Sequence, residues 1–549
     1  MKSAKIIMVF FVFLVVTMSN GCKAPQVDFE KEPSIDFPST VYFLLTDRFN
    51  NGDSTNDLTL GRNQPTANFR GFMGGDIKGI QQKIESDYFS SLGVDAIWMT
   101  PLVQQVSDLT DEGTGPTYGY HGYWARDWTA IDPNFGTRSD LEAMVKAARD
   151  KDIKLIFDIV INHTGPVTEL DSQWPDEWVR MKPTCTHQDY NSSVLCTLVD
   201  NLPDVLTESE EEVALPDFLL KKWEQEGRLE EELAELDAFF ERTGYPRAPK
   251  YYIIKWTVDW ILDYGIDGFR IDTAKHTEPE LWAILRKEAD YAFEQWKKNH
   301  PEVPKSDRFF MMGEVYGYGL PSLNLYDIGD RKIDFFANGM DALINFDFRH
   351  AAEKNLLNTF DDYSDYLNSD KLERKTVVHY LTSHDDGNPF DRNREKPFET
   401  ANALLLAPGI VQIYYGDETA RPINVQANGD ASLRTFMNWE AVTDTFEILN
   451  HWRKLGQFRA KHPSIPWGIH HTFNEQSPTI FTRQMPDNND AVMVIMGDTP
   501  KDFVVNVDAV FSGAKKVKDF YSGMEWPVEN GMLTLTNATG GLILLERAE

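Results

Sequence analysis

The sequence is short of cysteine, of basic residues relative to acidic ones, and of long apolar segments. It has 3 cysteines in 549 residues, and its 54 Lys and Arg against 86 Asp and Glu give a net charge of −32. Because nucleic-acid affinity rests on clustered basic side chains that neutralise phosphates, this charge excludes nucleic acid as an expected partner. Beyond the N-terminus no segment approaches the roughly 18 consecutive apolar residues of a membrane-spanning helix. We therefore expect a soluble or lipid-tethered protein.

Two of the cysteines lie close together. Cys185 and Cys196 are 11 positions apart in a loop-like stretch, and in an exported chain this spacing favours a disulfide. We expect no metal site there, because no pair of histidines stands beside the cysteines.

The N-terminus has the pattern of an export signal. Lys2 and Lys5 precede an apolar run, residues 6–16, that is too short to span a bilayer. The third cysteine, Cys22, follows, as in a bacterial lipoprotein signal. We expect residues 1–22 to be a lipoprotein-type export signal and residues 23–38 a tether, with plain secretion as the alternative.

The apolar pattern predicts an α/β fold. Hydrophobic residues make up 42% of the chain, and short apolar strands alternate with helical stretches, as in βαβ units around a parallel sheet. Eight strands are predicted to begin near Val41, Val94, Ile153, Ile266, Arg308, Asp341, Thr376 and Ile410. The long interval between the third and fourth strands predicts an inserted subdomain. We expect a (β/α)8 TIM barrel with an insertion after strand 3 and a C-terminal all-β domain.

These patterns give the following domain boundaries. The barrel is expected at 39–163 and 251–464, the inserted subdomain at 164–250, and a C-terminal β-sandwich at 465–549. Within the barrel, Thr277 and Glu280 predict a capping box at the start of a helix. Within the insertion, the runs Glu210–Glu212 and Glu230–Glu232 predict a solvated helical face.

Several predicted strands end in ionisable residues. Active-site groups of a TIM barrel gather at the C-terminal ends of its strands. The third strand delivers Asp158 and His163, the fourth Arg270 and Asp272, the fifth Glu314, and the seventh His384 and Asp385. Alternation along a strand places the fourth-strand pair on one face, and a carboxylate beside a guanidinium stays ionised.

At these residues the sequence resembles the α-amylase family of retaining glycoside hydrolases. All four strand-end motifs occur in the family's order, with the segment 120–124 (YHGYW) before them and 408–416 (PGIVQIYYG) after them. The resemblance runs from about Val41 to Ile465. The segments 47–53, 312–317 and 341–347 are most similar to periplasmic α-amylases of Gram-negative bacteria, which implies an exported, periplasmic or outer-membrane-anchored lipoprotein.

The resemblance implies roles for individual residues. Asp272 would be the nucleophile, Glu314 the general acid and base, and Asp385 a third acid that binds the ring hydroxyls and helps to stabilise the transition state. Substrate would be bound by Tyr123, His163, Arg270, Lys275, His276 and His384. Lys275 and His276 are placed on the leaving-group side, as in enzymes that cut internal α-1,4 linkages.

The resemblance also implies bound Ca²⁺, which requires several oxygen ligands. One site would use Asn162, Asp204 and the main-chain carbonyl of His276. A second, N-terminal site is possible at Asn51, Asp53, Asn56, Asp57, Gly74 and Asp76. A turn without an ion is the alternative reading of both segments, because short Asn and Asp side chains favour turns.

The expected function is that of an endo-acting α-amylase. It would hydrolyse internal α-1,4 bonds of starch, glycogen or maltodextrins through a covalent glycosyl-enzyme. One alternative is a transglycosylase that forms cyclodextrins or oligosaccharides from the same intermediate, and another is a non-catalytic glucan-binding lipoprotein. We expect an α-glucan as the partner, no nucleic acid, membrane contact only through an N-terminal lipid, and a monomer.

Overall fold

The computed structural model describes residues 37–304, 307–372, 375–474, 476–487, 490–536 and 541–548. The predicted export signal and almost all of the predicted tether lie outside these residues. Eight parallel strands close into a barrel in sequential order, β1-β8-β7-β6-β5-β4-β3-β2 and back to β1. They are β1 Thr40–Leu44, β2 Ala96–Met99, β3 Lys154–Ile159, β4 Gly268–Ile271, β5 Phe310–Gly313, β6 Ala342–Asn345, β7 Thr376–His379 and β8 Ile410–Tyr414. Each begins within two residues of its predicted start, so the predicted barrel is confirmed.

The barrel strands are buried on both faces. All residues of β1, β2 and β4 are buried, which is typical of parallel strands covered by helices and explains their nearly continuous apolar sequence. Arg270 is the charged residue among these three strands, and its side chain is 1% exposed. A buried guanidinium needs anionic partners, and Arg270 finds them in three carboxylates at the end of the barrel.

The described residues contain nine helices of at least nine residues. They are α1 Ile77–Glu85, α2 Arg138–Asp150, α3 Asp217–Gln225, α4 Leu229–Thr243, α5 Pro249–Tyr264, α6 Pro279–Asn299, α7 Leu356–Leu367, α8 Pro397–Leu405 and α9 Glu447–Lys461. Shorter helices lie at Thr46–Phe49, Tyr88–Ser91, Asn191–Val194, Phe348–Lys354 and Ser464–Trp467. No helix in the described ranges has the length and apolar character needed to cross a membrane.

The predicted capping box at Thr277 and Glu280 is wrong. Helix α6 begins at Pro279, its N-cap position is Glu278, and no side chain caps it. Proline favours the first helical position and holds the preceding residue in an extended conformation, so Thr277 lies one residue too early to cap the helix.

The segment between β3 and β4 carries the insertion. It contains a short two-stranded sheet, Val179–Arg180 with Asp204–Val205, followed by α3 and α4. Cys185 and Cys196 form the predicted disulfide. The predicted solvated face is only partly correct, because Glu232 is 7% exposed and pairs with Arg228, which in turn contacts Asp127.

The C-terminal region is an antiparallel sheet with its own apolar core. Its strands are hydrogen-bonded in the order β9-β10-β11-β16-β13-β14-β15-β12. They are β9 Ile469–Asn474, β10 Thr479–Gln484, β11 Ala491–Met496, β12 Phe503–Asn506, β13 Lys516–Asp519, β14 Glu525–Glu529, β15 Met532–Leu535 and β16 Leu542–Arg547. Residues from both halves, such as Ile495 and Leu533, share one buried cluster, so the sheet folds over on itself. This confirms the predicted all-β domain.

Candidate active site

Arg270 lies at the centre of a carboxylate cluster at the C-terminal end of the barrel. Its Nη1 is 2.9 Å from Asp158 Oδ1 and 2.7 Å from Asp272 Oδ1, and its Nη2 is 2.8 Å from Glu314 Oε2. Arg270 and Asp272 therefore share a face, as their alternation along β4 predicts. One guanidinium thus holds three acids that come from three neighbouring strands.

The register of the barrel explains this convergence. Asp158 in β3 pairs directly with Arg270 in β4, and the ladder continues past the strand ends. The Asp272 amide donates to the Ile159 carbonyl over 3.0 Å, and the Glu314 amide donates to the Ile271 carbonyl over 2.9 Å. The three acids are consequently held by main-chain hydrogen bonds of the sheet itself.

The cluster contains more negative than positive charge. Burial raises the pKa of Asp158 to about 7, although Arg270 opposes the shift. Burial also raises the pKa of Glu314; Arg270 opposes this rise, and the charges of Asp272 and Asp385 add to it. Burial raises the pKa of Asp272 as well, but Arg270 and a hydrogen bond from Glu314 act against this rise. Burial therefore favours a proton within this cluster, because one guanidinium does not compensate three buried carboxylates.

Asp385 lies at the exposed edge of the cluster. Its side chain is 49% exposed, with Oδ2 2.9 Å from His384 Nε2 and Oδ1 2.7 Å from Arg434 Nη2. Desolvation alone would raise the pKa of Asp385, but His384 and Arg434 outweigh it and hold the pKa well below its usual range. Asp385 is therefore anionic at any physiological pH.

Three further predicted residues meet beside the cluster. The Tyr123 hydroxyl donates to Asp158 Oδ2 over 2.8 Å, and its ring stacks on His384 with the centroids 5.5 Å apart. His163 Nε2 lies 3.2 Å from the Tyr123 carbonyl, and burial lowers the pKa of His163 to about 4. A neutral imidazole and an aromatic ring thus flank the carboxylates.

Lys275 and His276 turn away from the carboxylates. They lie in the helical turn Ala274–His276 that follows β4. Lys275 Nζ donates to the Tyr316 carbonyl over 3.0 Å, whereas His276 Nδ1 bonds the Ser193 carbonyl over 2.8 Å. The structure therefore places Lys275 towards the segment after β5 and the His276 ring against the insertion.

A cavity of about 260 Å³ opens above the cluster. Its lining includes Arg270, Glu314, His384, Asp385, Tyr316, Phe346, Arg349 and Tyr380. Polar groups on a partly aromatic wall suit a sugar, whose faces are apolar and whose edges bear hydroxyls.

Sequence analysis missed two residues that shape this site. Trp98 is the penultimate residue of β2, where its Nε1 donates to Asp158 Oδ2 over 3.0 Å and its ring stacks on Phe43. Arg434 belongs to a turn well beyond β8 and pairs with both Asp385 and Asp430. The end of an apolar strand could have drawn attention to Trp98, but no local pattern singles out Arg434.

Two residues of the first predicted cation site, Asn162 and Asp204, lie next to each other. The Val205 amide donates to the Asn162 carbonyl over 2.8 Å, which brings Asp204 beside Asn162. Asn162 Oδ1 is buried and finds no hydrogen-bond partner among the described residues. Burial raises the pKa of Asp204 to about 8 even though Arg180 Nε lies 2.7 Å from its Oδ2. A buried amide oxygen and an insufficiently compensated carboxylate fit a hard cation.

The side chains of the second predicted cation site, unlike those of the first, are mostly engaged in hydrogen bonds with one another and with main-chain amides. Asn51 Nδ2 donates to Asp57 Oδ1 over 2.9 Å, and a Cβ on Gly74 would clash with both side chains. Asp76 caps α1 and accepts from the amides of Gly79, Gly52 and Asp53. Asp53 itself bonds Thr55 and Lys78, and the buried Asn56 Oδ1 has no partner within the described chain. Asp76 is therefore a structural cap, whatever else the loop binds.

Comparison with known proteins agrees with this geometry. Residues 43–484 match the family model of the alpha-amylase catalytic domain. The chain is 34% identical over 516 residues to the periplasmic alpha-amylase of Escherichia coli K12, an alignment that covers 83% of this chain and 71% of the relative. The chain belongs to the alpha-amylase family.

Other members of the alpha-amylase family are more distant. The cyclomaltodextrin glucanotransferase of Thermoanaerobacterium thermosulfurigenes is 26% identical over 483 residues, which cover 85% of this chain and 61% of that protein. A solved Anoxybacillus alpha-amylase superposes with a TM-score of 0.66 at 24% identity, covering 93% of this chain and 98% of that one. At that identity the superposition shows a shared fold.

Proposed function

We propose that this amylase-family chain is a retaining, endo-acting α-amylase that hydrolyses internal α-1,4 bonds of starch, glycogen or maltodextrins. The observation that carries the proposal is the shared guanidinium of Arg270, which holds both Asp272 and Glu314 and which, with Glu314, lines a sugar-sized cavity. Similarity to the periplasmic alpha-amylase of Escherichia coli supports the substrate class.

In the first step, Glu314 donates its proton to the glycosidic oxygen while Asp272 attacks the anomeric carbon. The C–O bond to the leaving sugar breaks, and an ester to Asp272 forms. Arg270 keeps the nucleophile anionic, and burial keeps the acid protonated. The main-chain amide of Thr273, which donates to Glu314 Oε2 over 3.1 Å, fixes the orientation of the acid.

In the second step, the ionised Glu314 takes a proton from water, which attacks the anomeric carbon and releases Asp272. Two displacements preserve the anomeric configuration, and they require carboxyl groups about 5–5.5 Å apart, against about 6.5–9.5 Å for inversion. Asp272 and Glu314 share the Arg270 guanidinium, which favours the closer arrangement. Asp385, anionic throughout, balances positive charge on the ring in the transition state.

The pKa shifts give the direction of the pH dependence. Glu314 must be protonated, and burial raises its pKa. Activity is therefore lost as the pH rises through that raised pKa, at a higher pH than an exposed glutamate would set. Activity is lost on the acid side as Asp272 gains a proton.

We propose that Asn162, Asp204 and the His276 carbonyl bind a structural Ca²⁺, which would tie the insertion to the end of β3. Excess chelator should then lower the melting temperature of the wild type but not that of Asp204→Asn. Asp53→Asn is the matched variant for the second loop. If the wild-type transition is unchanged in chelator after prolonged incubation, the calcium proposal fails.

We also propose that the protein is exported to the periplasm and held there by a lipid on Cys22. The N-terminal signal pattern and the periplasmic relative support this. Mass spectrometry of the N-terminus from a Gram-negative host tests it, since an unmodified residue other than Cys22 at the mature start would contradict the anchor.

The deciding experiment for the activity is a time course of products from soluble starch and maltoheptaose, read by chromatography and anomeric NMR. Mixed linear α-anomeric oligosaccharides are expected early. Rings, or chains longer than the substrate, would indicate the transglycosylase activity named for the Thermoanaerobacterium relative. If no α-glucan is hydrolysed, the remaining alternative is a non-catalytic glucan-binding protein.

A further inference from the structure

Two histidines meet beside the insertion, away from the catalytic carboxylates. The rings of His187 and His276 lie edge to face, with their planes at 71° and their centroids 5.3 Å apart. A potential ligand atom of each, together with the sulfur of Cys185, lies within 4.8 Å of the others. Because Cys185 is in a disulfide, it offers no thiolate, and two imidazoles remain as strong ligands.

The hydrogen bonding of His276 suits a metal ligand. Its Nδ1 donates to the Ser193 carbonyl over 2.8 Å, which fixes the tautomer and leaves the lone pair on Nε2. Histidines that bind metals almost always hold their other ring nitrogen in this way, because the bond orients the ring and raises its basicity.

The loop that carries His187 is preorganised. The Cys185 amide donates to the Thr197 carbonyl and the Thr197 amide to the Pro183 carbonyl, each over 2.8 Å. The disulfide closes the same loop, and the His187 amide donates to the Ser192 carbonyl. His187 is exposed whereas His276 is buried, so an ion can enter from solvent without rearrangement of the loop.

We propose that His187 and His276 form a binding site for a transition-metal ion such as Zn²⁺, with water completing the coordination. Imidazole nitrogen suits Zn²⁺ and Cu²⁺, whereas Ca²⁺ requires oxygen ligands. The site therefore uses ring nitrogens, whereas the proposed calcium site takes only the main-chain carbonyl of His276. The neighbouring charge of Lys275, which acts on both histidines, opposes the cation and makes this a low-affinity site.

A bound ion should also affect hydrolysis. This second step of the inference rests on the proposed function. Lys275 and His276 are the residues expected at the leaving-group side of the cleft. A metal held there fixes the His276 ring against the insertion and adds positive charge beside Lys275. We infer that Zn²⁺ inhibits hydrolysis reversibly by obstructing the sugar on the leaving-group side.

The first test measures Zn²⁺ binding by competition with a chromophoric chelator, on the purified protein in saturating Ca²⁺. One ion per chain is expected for the wild type. His187→Ala should weaken binding by at least about tenfold, since loss of even an outer-shell partner costs about 10–100-fold. His471→Ala, which removes an exposed histidine of β9, should leave it unchanged. Equal binding by wild type and His187→Ala, or none by the wild type, would overturn the site.

A second variant adds a ligand instead of removing one. Cys196→Ser releases the Cys185 thiol beside the two histidines, and thiol titration confirms its release. Three ligands should bind Zn²⁺ at least about tenfold more tightly than two. A folded Cys196→Ser protein with unchanged affinity would count against the location of the site.

Activity provides the separate readout for inhibition. Zn²⁺ should slow maltoheptaose hydrolysis by the wild type and His471→Ala, and have a much smaller effect on His187→Ala. If the protein hydrolyses no α-glucan, the proposed function fails while direct binding still decides the metal site. If hydrolysis proceeds and bound Zn²⁺ does not slow it, the site stands and the inhibitory role is wrong.

Discussion

Two buried charge clusters in this molecule differ in their balance of charge. Around Arg270, one guanidinium serves three carboxylates, and burial raises the pKa of Asp158 to about 7. Around Asp127, at the junction of the barrel with the insertion, one buried carboxylate contacts both Lys222 and Arg228. Burial again favours the neutral acid there, but the two cations outweigh it and lower the pKa of Asp127.

The difference separates a cluster suited to chemistry from one suited to structure. A shortage of positive charge leaves a proton on one of the acids near Arg270, and that proton is available for transfer. An acid with two cations and two Thr129 donors holds no proton to give. Burial alone therefore does not identify a carboxylate that can donate a proton, whereas the ratio of charges around it does.

The largest effect is expected from removing one of the two proposed catalytic carboxylates. Glu314→Gln and Asp272→Asn should each lower kcat on maltoheptaose by at least about 1,000-fold, since a general acid or a nucleophile contributes this much or more. Both replacements keep the shape and reduce the excess negative charge around Arg270. Their melting temperatures should therefore equal or exceed that of the wild type. Near-wild-type turnover in either variant would remove the residue from the mechanism.

The second effect is a loss of stability without a loss of activity. Asp127→Asn should destabilise the protein by about 3 kcal/mol, because removing one member of a buried pair leaves the other charge without its partner, and kcat should be unchanged. Urea unfolding measures the change. Since the folded pKa of Asp127 is depressed, its contribution is present above the unfolded pKa, about 3.9, and is lost as the pH falls through the folded value. The difference between variant and wild type should shrink accordingly at low pH.

Asp150→Asn is the control for this comparison. Asp150 pairs with Lys146 on the exposed surface of α2, and its side chain is 60% exposed. A change of no more than about 0.5 kcal/mol is expected. If Asp127→Asn were equally mild, the contrast between the two clusters would not hold.

The third effect concerns Asp385, the acid of the site that does have cationic partners. Arg434→Met should raise the pKa of Asp385, move the acid limb of kcat/KM to higher pH, and lower kcat/KM by about tenfold at neutral pH. Arg349→Met is the matched control, because Arg349 is equally buried and pairs with the adjacent Asp386. An equal displacement of the acid limb in both variants would show that the effect does not pass through Asp385.

The sequence predicts the barrel well because its signals are local. Apolar strands are recognisable by themselves, and parallel neighbours bring their C-terminal ends together, so the convergence of Asp272 and Glu314 follows from strand positions. The failed capping box is a local error: Thr277 and Glu280 fit the pattern, but Pro279 fixes the start of α6.

Residues that depend on tertiary contacts were beyond sequence reasoning. Arg434 reaches Asp385 only through the path of the chain after β8. His187 and His276 are far apart in sequence and meet because the disulfide loop folds over the turn after β4. No spacing rule predicts such contacts, so the sequence did not indicate the pairing of His187 with His276 beside Cys185.

The smallest effect tests whether the charge cluster of Asp127, Lys222 and Arg228 also depends on Glu232. Glu232 was expected on a solvated face, yet it is buried on Arg228. Burial raises the pKa of Glu232 while Arg228 lowers it, so desolvation cancels much of the ion pair. Glu232→Gln should therefore cost only about 1 kcal/mol in urea unfolding, and the exposed neighbour in Glu231→Gln about zero. A loss as large as that of Asp127→Asn would mean that the cluster is stabilised jointly, with Arg228 rather than Asp127 as its centre.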